Sequence, residues 1–357
     1  MARLGIIGFP NSGRTTVFNA LTGLEAVTAP HPYATADPNL GVARIPDDRL
    51  EAAARVEGSK KITHAVLELV DLPALHSADG SPNGQAIGRL REMEALLIVL
   101  RAFDDPGVPE AGWGTDPVAQ AESLLLELAL ADAEVLDRRA ERASKEASAE
   151  PGKRSAADAI VRAAAVLAEG AALRSKEWSP SDLDAFRDMA PLTLLPAVWV
   201  VNVGEEEGDA EALRAAVAAV VPDGDEVITL SARIEEEGSR LDPAERAELF
   251  EGLGLGDGAV AAVTRATYAA LGLASFFTVG PKESRAWTVR KGSTAAEAAG
   301  KIHSDLQRGF IRAEISPIET VLEAGGWDAA KAAGKVRVEG RDHQIHEGDV
   351  IVVRFSV

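Results

Sequence analysis

The chain has 357 residues, 46% of them hydrophobic and 26% charged, with a net charge of −19 and no cysteine. Such a length suggests two or three domains with ample core, and the composition is that of an ordinary soluble globular protein. The missing cysteines exclude disulfides, thiolate catalysis and Cys-ligated zinc, and the negative charge argues against a general affinity for nucleic acid.

Met1 runs straight into a short apolar segment, Arg3 to Ile7, that reads as a buried strand. No charged, then apolar, then small-residue signal pattern precedes it, and no apolar run approaches the roughly 18 residues of a membrane span. The expected location is cytoplasmic, with no membrane partner. Gly8-Phe9-Pro10-Asn11-Ser12-Gly13-Arg14-Thr15 follows, and Thr16 to Leu21 begins a helix. Strand, glycine loop and helix are the context in which G-x-x-x-x-G-K-[ST] cradles phosphate with backbone N–H groups and a helix N-terminus. Thr15 supplies a hydroxyl suited to Mg²⁺. The lysine position holds Arg14, whose planar, longer guanidinium does not reproduce a compact ammonium between phosphates. Nucleotide binding is expected, and fast hydrolysis is not.

Further strands are expected at Ala65–Asp71, Ala95–Phe103, Ala197–Val203 and Glu226–Ser231. Several are continuous apolar runs, as parallel strands covered on both faces require, and helices alternate with them. The fold class is therefore α/β, a doubly wound sheet with ligand at the carboxyl ends of its strands. Asp71 ends its strand where a Walker-B carboxylate belongs. It opens Asp71-Leu72-Pro73-Ala74, a D-x-x-G pattern whose glycine has become alanine, with less backbone freedom for sensing a γ-phosphate. Asn202-Val203-Gly204-Glu205 offers an amide and a carboxylate spaced as in N-K-x-D, and Ser231 follows the next strand as a supporting backbone contact.

Between Asp116 and Ala190 the strands stop. Asp116-Pro117 reads as a helix start, and Leu124, Leu125, Leu128, Val135 and Leu136 recur at near-helical spacing. Pro151-Gly152 breaks the run, Ser155 with Asp158 resembles a capping box for a second helix, and Ser179-Pro180 starts a third. Beyond Leu273, strands are expected at Phe276–Val279, Ala286–Val289, Val336–Val338 and Val350–Phe355, with one helix, Thr294 to Leu306. Residues 274–357 carry a net charge of +1 against −20 for the rest, so this tail is the cheaper surface for RNA.

These residues taken together resemble the YchF-type Obg-like ATPases, a branch of the Obg GTPases, over nearly the whole chain. Carrying the resemblance are Gly8–Phe18, the stretch from His31 through Thr35 to Gly41, Asp71, the stretch Leu128–Arg139, Asn202–Glu205 and the tail segments Phe276–Val289, Gly300–Asp305 and Gly309–Glu314. The resemblance implies a P-loop NTPase G domain (1–115 and 191–273) with an inserted coiled-coil arm (116–190) and a C-terminal β-grasp, TGS-like domain (274–357). It implies ATP in preference to GTP, because N-x-x-E replaces N-K-x-D, association with the ribosome or its RNA through tail and arm, and Thr35 as a further Mg²⁺ ligand. The expected nucleotide contacts are Asn11, Ser12, Gly13, Arg14, Thr15, Thr16, Asn202, Val203, Glu205 and Ser231. Mg²⁺ is expected on Thr15, Thr35 and Asp71, and no side chain stands out as a general base. Arg14, Ala74 and the loss of a glycine-rich stretch after it, where His76 lies, depart from the family pattern around the γ-phosphate. The expectation is an ATP-binding switch with weak Mg²⁺-dependent hydrolysis; the rival is a non-catalytic docking module.

Overall fold

The computed structural model describes residues 2–26, 38–75, 83–109, 112, 114–205, 209–253, 255 and 258–356. The chain runs through β1 (Arg3–Ile7), α1 (Arg14–Thr22), β2 (Asn39–Arg44), α2 (Asp48–Val56), β3 (Ile62–Thr63), β4 (Val66–Asp71), α3 (Gly84–Leu90) and β5 (Ala95–Ala102). It continues with α4 (Pro117–Ala149), α5 (Arg154–Ala168), α6 (Pro180–Phe186), β6 (Ala197–Val203), α7 (Ala210–Ala218) and β7 (Glu226–Leu230). Helices α8 (Ala232–Arg240), α9 (Pro243–Gly252) and α10 (Ala259–Ala270) lead to β8 (Leu273–Thr278), β9 (Ser284–Arg290), α11 (Ala295–Ile302) and α12 (Ser304–Arg308). The last elements are β10 (Phe310–Pro317), α13 (Ile318–Ala324), α14 (Trp327–Ala332), β11 (Arg337–Glu339) and β12 (Asp349–Phe355).

Two compact units emerge, Met1–Val42 with Glu68–Thr267, and Ala43–Leu67 with Tyr268–Val357. The first holds a six-stranded sheet of order β2-β4-β1-β5-β6-β7, in which β4, β1, β5, β6 and β7 pair in parallel. Every residue of β5 is buried, because parallel strands flanked by helices have no solvent face. Leu96, Ile98, Leu100, Trp199 and Val201 form the centre of this core. Full burial of each aliphatic side chain contributes about 1.5–3 kcal/mol. The expected α/β class and P-loop domain are thus observed. Strand β2 was absent from the sequence reading: it is a short edge strand, broken by Gly41, whose apolar residues Leu40 and Val42 lie exposed.

Helix α4 starts where expected, with the Asp116 side chain accepting from the N–H of Val118. It packs along α5 through a seam of small residues, Ala129, Ala143, Ala157 and Ala163, with Leu136, Ile160 and Leu167 between them. The capping box expected at Ser155 and Asp158 does not form. A turn of 3₁₀ helix over Pro151–Lys153 runs directly into α5, so Ser155 already lies inside the helix. The Ser179 start of α6 is observed, as a reciprocal capping box with Asp182.

In the second unit the sheet order is β11-β10-β12-β8-β9-β3, a mixture of antiparallel and parallel pairs with α11 packed on it through Ala295, Ala298 and Ala299. The single helix expected over Thr294–Leu306 is two, because His303 turns extended (φ −163°, ψ 141°) and its side chain accepts from the N–H of Asp305. Such local side-chain bonds compete with helix continuation. Strand β10, absent from the sequence reading, lies between β11 and β12 and buries Ala313 and Ile315. Residues 43–67, which the sequence reading placed in the nucleotide domain, pack here: Ser59 Oγ donates to Gly280 O, and the Trp327 N–H donates to Glu57.

Candidate functional site

The loop between β1 and α1 is shaped by two left-handed residues. Asn11 (φ 62°) is one and donates its amide to Pro109 O at 2.9 Å; Gly13 (φ 90°) is the other, at the N-cap of α1. A Cβ on Gly13 would collide with the amide of Asn202, so glycine is required on two counts. The first turn of α1 contains no acidic side chain, which leaves the positive end of the helix uncompensated and suited to an anion.

Thr15 follows in α1, and its hydroxyl donates to Asp71 Oδ2 at 2.8 Å. Asn39, reaching across from β2, donates to the same oxygen at 3.1 Å. Asp71 is 4% exposed, and its other oxygen, Oδ1, is buried with no hydrogen-bond partner among the described residues. A buried carboxylate oxygen left open beside a hydroxyl is the hard-oxygen donor set that Mg²⁺ takes, so the residues present fit that ion. Thr35 and His76 lie outside the described residues.

Arg14 turns toward the strand that carries Asp71: its Nη1 donates to the carbonyl oxygen of Leu72. Desolvation of the guanidinium lowers its pKa, and the nearby charge of Asp71 works in the opposite direction. Ala74 is buried, and Asn83 donates its side-chain amide to Ala74 O and its backbone N–H to Leu75 O. The cation and the alanine that replace lysine and glycine in the family pattern thus flank one short stretch of backbone, residues 72–74.

A cleft of about 820 Å³ opens beside Gly13 and Thr16, lined also by Phe103, Asn202, Val203, Glu205, Ser231 and Arg233. Its size is within the range of nucleotide-sized ligand pockets. Asn202, at the end of β6, is 4% exposed; its amide donates to Ser12 O at 3.0 Å and accepts from the N–H of Ala232 at 2.9 Å. It therefore ties the glycine loop to the start of α8, and its second amide hydrogen has no partner among the described residues. Glu205 pairs with Arg233 at 3.3 Å, both largely exposed at the cleft mouth. Asp104, Asp105 and Glu236 add acidic groups to the wall.

The structure brings Asn11–Thr16 and Asp71 to one end of the sheet and Asn202, Val203, Glu205 and Ser231 around the adjoining cleft. The sequence reading missed Asn39, Phe103 and Glu236. Asn39 stands in the segment that carries the family resemblance, but only its pairing beside β4 aims it at Asp71. Glu236, which accepts from Asn19 at 2.8 Å, had no motif to mark it.

Residues 3–132 match the family described as "50S ribosome-binding GTPase", and residues 273–356 match the YchF-GTPase C-terminal family, described as a protein of unknown function. The chain is 36% identical to "Ribosome-binding ATPase YchF" of Bacillus subtilis, with 99% of each chain covered. It is 31% identical to "Obg-like ATPase 1" of Gallus gallus, covering 99% of this chain and 92% of that one. Its fold is similar to the solved Schizosaccharomyces pombe YchF GTPase, with a TM-score of 0.85, 26% identity, and 99% and 97% of the two chains covered. By sequence and by fold over nearly its whole length, the chain belongs to the YchF family of Obg-like ATPases.

Proposed function

We propose that this protein is an ATP-binding switch that hydrolyses nucleotide slowly with Mg²⁺ and docks on the ribosome. One observation carries the nucleotide reading: Thr15 and Asp71 meet at 2.8 Å with a second, buried Asp71 oxygen left open beside the phosphate loop. Backbone amides of residues 11–15 hold the phosphates, and Thr15, Asp71 and Thr35 hold Mg²⁺, which neutralises phosphate charge in a cleft otherwise rich in carboxylates. Asn202 offers its remaining amide hydrogen to the base. Glu205 accepts from the 6-amino group of adenine; guanine carries a carbonyl oxygen at that position, which offers a carboxylate no hydrogen, and this favours ATP over GTP. Arg14, held on Leu72 O, is a poorer phosphate clamp than lysine, which supports slow turnover. Ribosome docking rests on the relatives named as ribosome-binding ATPases, and the nearly neutral residues 274–357 and the arm 116–190 are the surfaces we assign to it.

The contact between Arg14 and Leu72 favours a second reading, a non-catalytic docking protein on an inherited nucleotide fold. Equilibrium binding of fluorescent ATP and GTP analogues, with and without Mg²⁺, separates the two. Tight, Mg²⁺-dependent binding that prefers ATP supports the switch. Absence of binding up to millimolar nucleotide leaves the docking protein.

A further inference from the structure

We propose that His343, His346 and Asp349 form a binding site for one late first-row divalent cation, of which Zn²⁺ is the representative, separate from the Mg²⁺ chemistry of the nucleotide site. The three residues are spaced H-x-x-H-x-x-D before and into β12, and one donor atom from each lies within 4.8 Å of the others. Ligands about 2.0–2.1 Å from a tetrahedral ion stand roughly 3.3 Å apart, so closure needs a movement on the order of 1 Å. His346, with its side chain 69% exposed, supplies that by rotating.

Four observations point to an ion and not to a chance cluster. First, the backbone is already held: His343 O accepts from Ala295 N at 2.8 Å, and Ile345 N donates to Ser293 O at 2.9 Å. Little ordering entropy then remains to oppose binding. Second, His343 Nε2 is buried with no hydrogen-bond partner among the described residues, an expensive state for a ring nitrogen unless something binds it. Third, Glu339 Oε2 approaches the other nitrogen, Nδ1, at 3.4 Å. A carboxylate behind a histidine fixes the tautomer that frees the opposite nitrogen for a metal, so Nε2 is the donor we assign. Fourth, Asp349 is 3% exposed and accepts from the N–H of His346 through Oδ2 at 2.9 Å, with His346 Nδ1 at 3.8 Å from the same oxygen. This buried carboxylate is thereby aimed at the two imidazoles.

Two imidazole nitrogens with one carboxylate oxygen suit Zn²⁺, Co²⁺ or Ni²⁺ and disfavour the all-oxygen ions Mg²⁺ and Ca²⁺. The ion would tie the turn between Gly340 and Asp349 to the first residue of β12 and retain a solvent-facing fourth position. Metal-stripped, nucleotide-free full-length protein should bind one equivalent of Zn²⁺ in competition with a chromophoric chelator, and Co²⁺ should give the visible absorption of a site with nitrogen ligands. Millimolar Mg²⁺ should not compete. His346→Ala is the deciding variant, because the exposed side chain contributes little to folding. It and His343→Ala should lose at least the upper end of the about 10–100-fold range seen even for outer partners of a metal site, and Glu339→Gln should fall within that range. Zn²⁺ should also raise the melting temperature of the parent chain and not of His346→Ala. Zinc binding equally tight in His346→Ala, or absent in the parent chain, would overturn the proposal.

Discussion

Asn202 donates its side-chain amide to the carbonyl oxygen of Ser12 across 190 positions of chain, at 3.0 Å, in the interior beneath the phosphate loop. The same amide accepts from the N–H of Ala232, so one side chain sets the distance between the glycine loop and the helix start that borders the adjoining cleft. Asn202→Ala leaves a buried acceptor and a buried donor unpaired, each costing about 1–3 kcal/mol. The expected outcome is a stability loss of about 2–4 kcal/mol in urea denaturation, with nucleotide affinity falling in parallel. A loss within about 0.5 kcal/mol, the level of a neutral surface change, contradicts this role.

Arg14 is the point at which rate is expected to be limited. Arg14→Lys releases the Leu72 carbonyl and restores a compact ammonium. Single-turnover ATP hydrolysis should then rise at least about tenfold, equivalent to about 1.4 kcal/mol of barrier. An unchanged rate with nucleotide bound favours the docking reading over the switch.

Glu127 gives a pH dependence. Burial on α4 pushes its carboxyl up to about 7. The folded state therefore holds a proton that the unfolded chain releases nearer 4.5, and folding takes up a proton between those values. The contribution to stability is greatest below about 4.5, declines as pH rises to about 7, and is flat above. Glu127→Gln should remove that decline and stabilise the protein at pH 8 by about 1 kcal/mol, after discounting for solvent around a half-buried group. Melting curves from pH 4.5 to 8 measure both slopes; parallel curves for the two proteins exclude the effect.

Asp132 anchors the arm. Wholly buried, it accepts from Arg91 Nη1, from the N–H groups of Leu192 and Thr193, and from the Thr193 hydroxyl, all at 2.8–2.9 Å. Asp132→Ala strands the Arg91 charge and these donors and should cost about 3–5 kcal/mol in chemical denaturation. Asp132→Asn retains one acceptor and should cost less; equal losses would mean that the charge carries the whole effect and the retained acceptor none of it.

Much of this fold was legible in the sequence because its cues are local. Largely apolar runs marked β1, β4, β5, β6 and β7 to within one or two residues of their observed ends, since a strand covered on both faces carries few polar residues. The glycine loop followed by Thr15, and Asp71 at the end of a strand, are patterns of neighbours along the chain. Strand β2 and strand β10 lacked such a signal: the first is half exposed at an edge, and the second alternates irregularly around a register shift. His303 broke a helix that hydrophobic spacing continued, because its side chain binds the backbone two residues on.

The sequence by itself determined that a glycine loop, a strand-end aspartate and an Asn-x-x-Glu segment follow one another on an α/β sheet, with a helical arm and a smaller α+β unit. The chemistry of a glycine turn, a proline break or an apolar run is complete within a few residues. Only the tertiary structure decided that Asn39 shares Asp71 with Thr15, that Arg14 rests on Leu72, that Asn202 is committed to Ser12 and Ala232, and that Glu205 pairs with Arg233. Most of these contacts join residues tens to hundreds of positions apart. Their partners are chosen by strand order and burial, and an unpaired polar group inside the protein costs enough to enforce each choice.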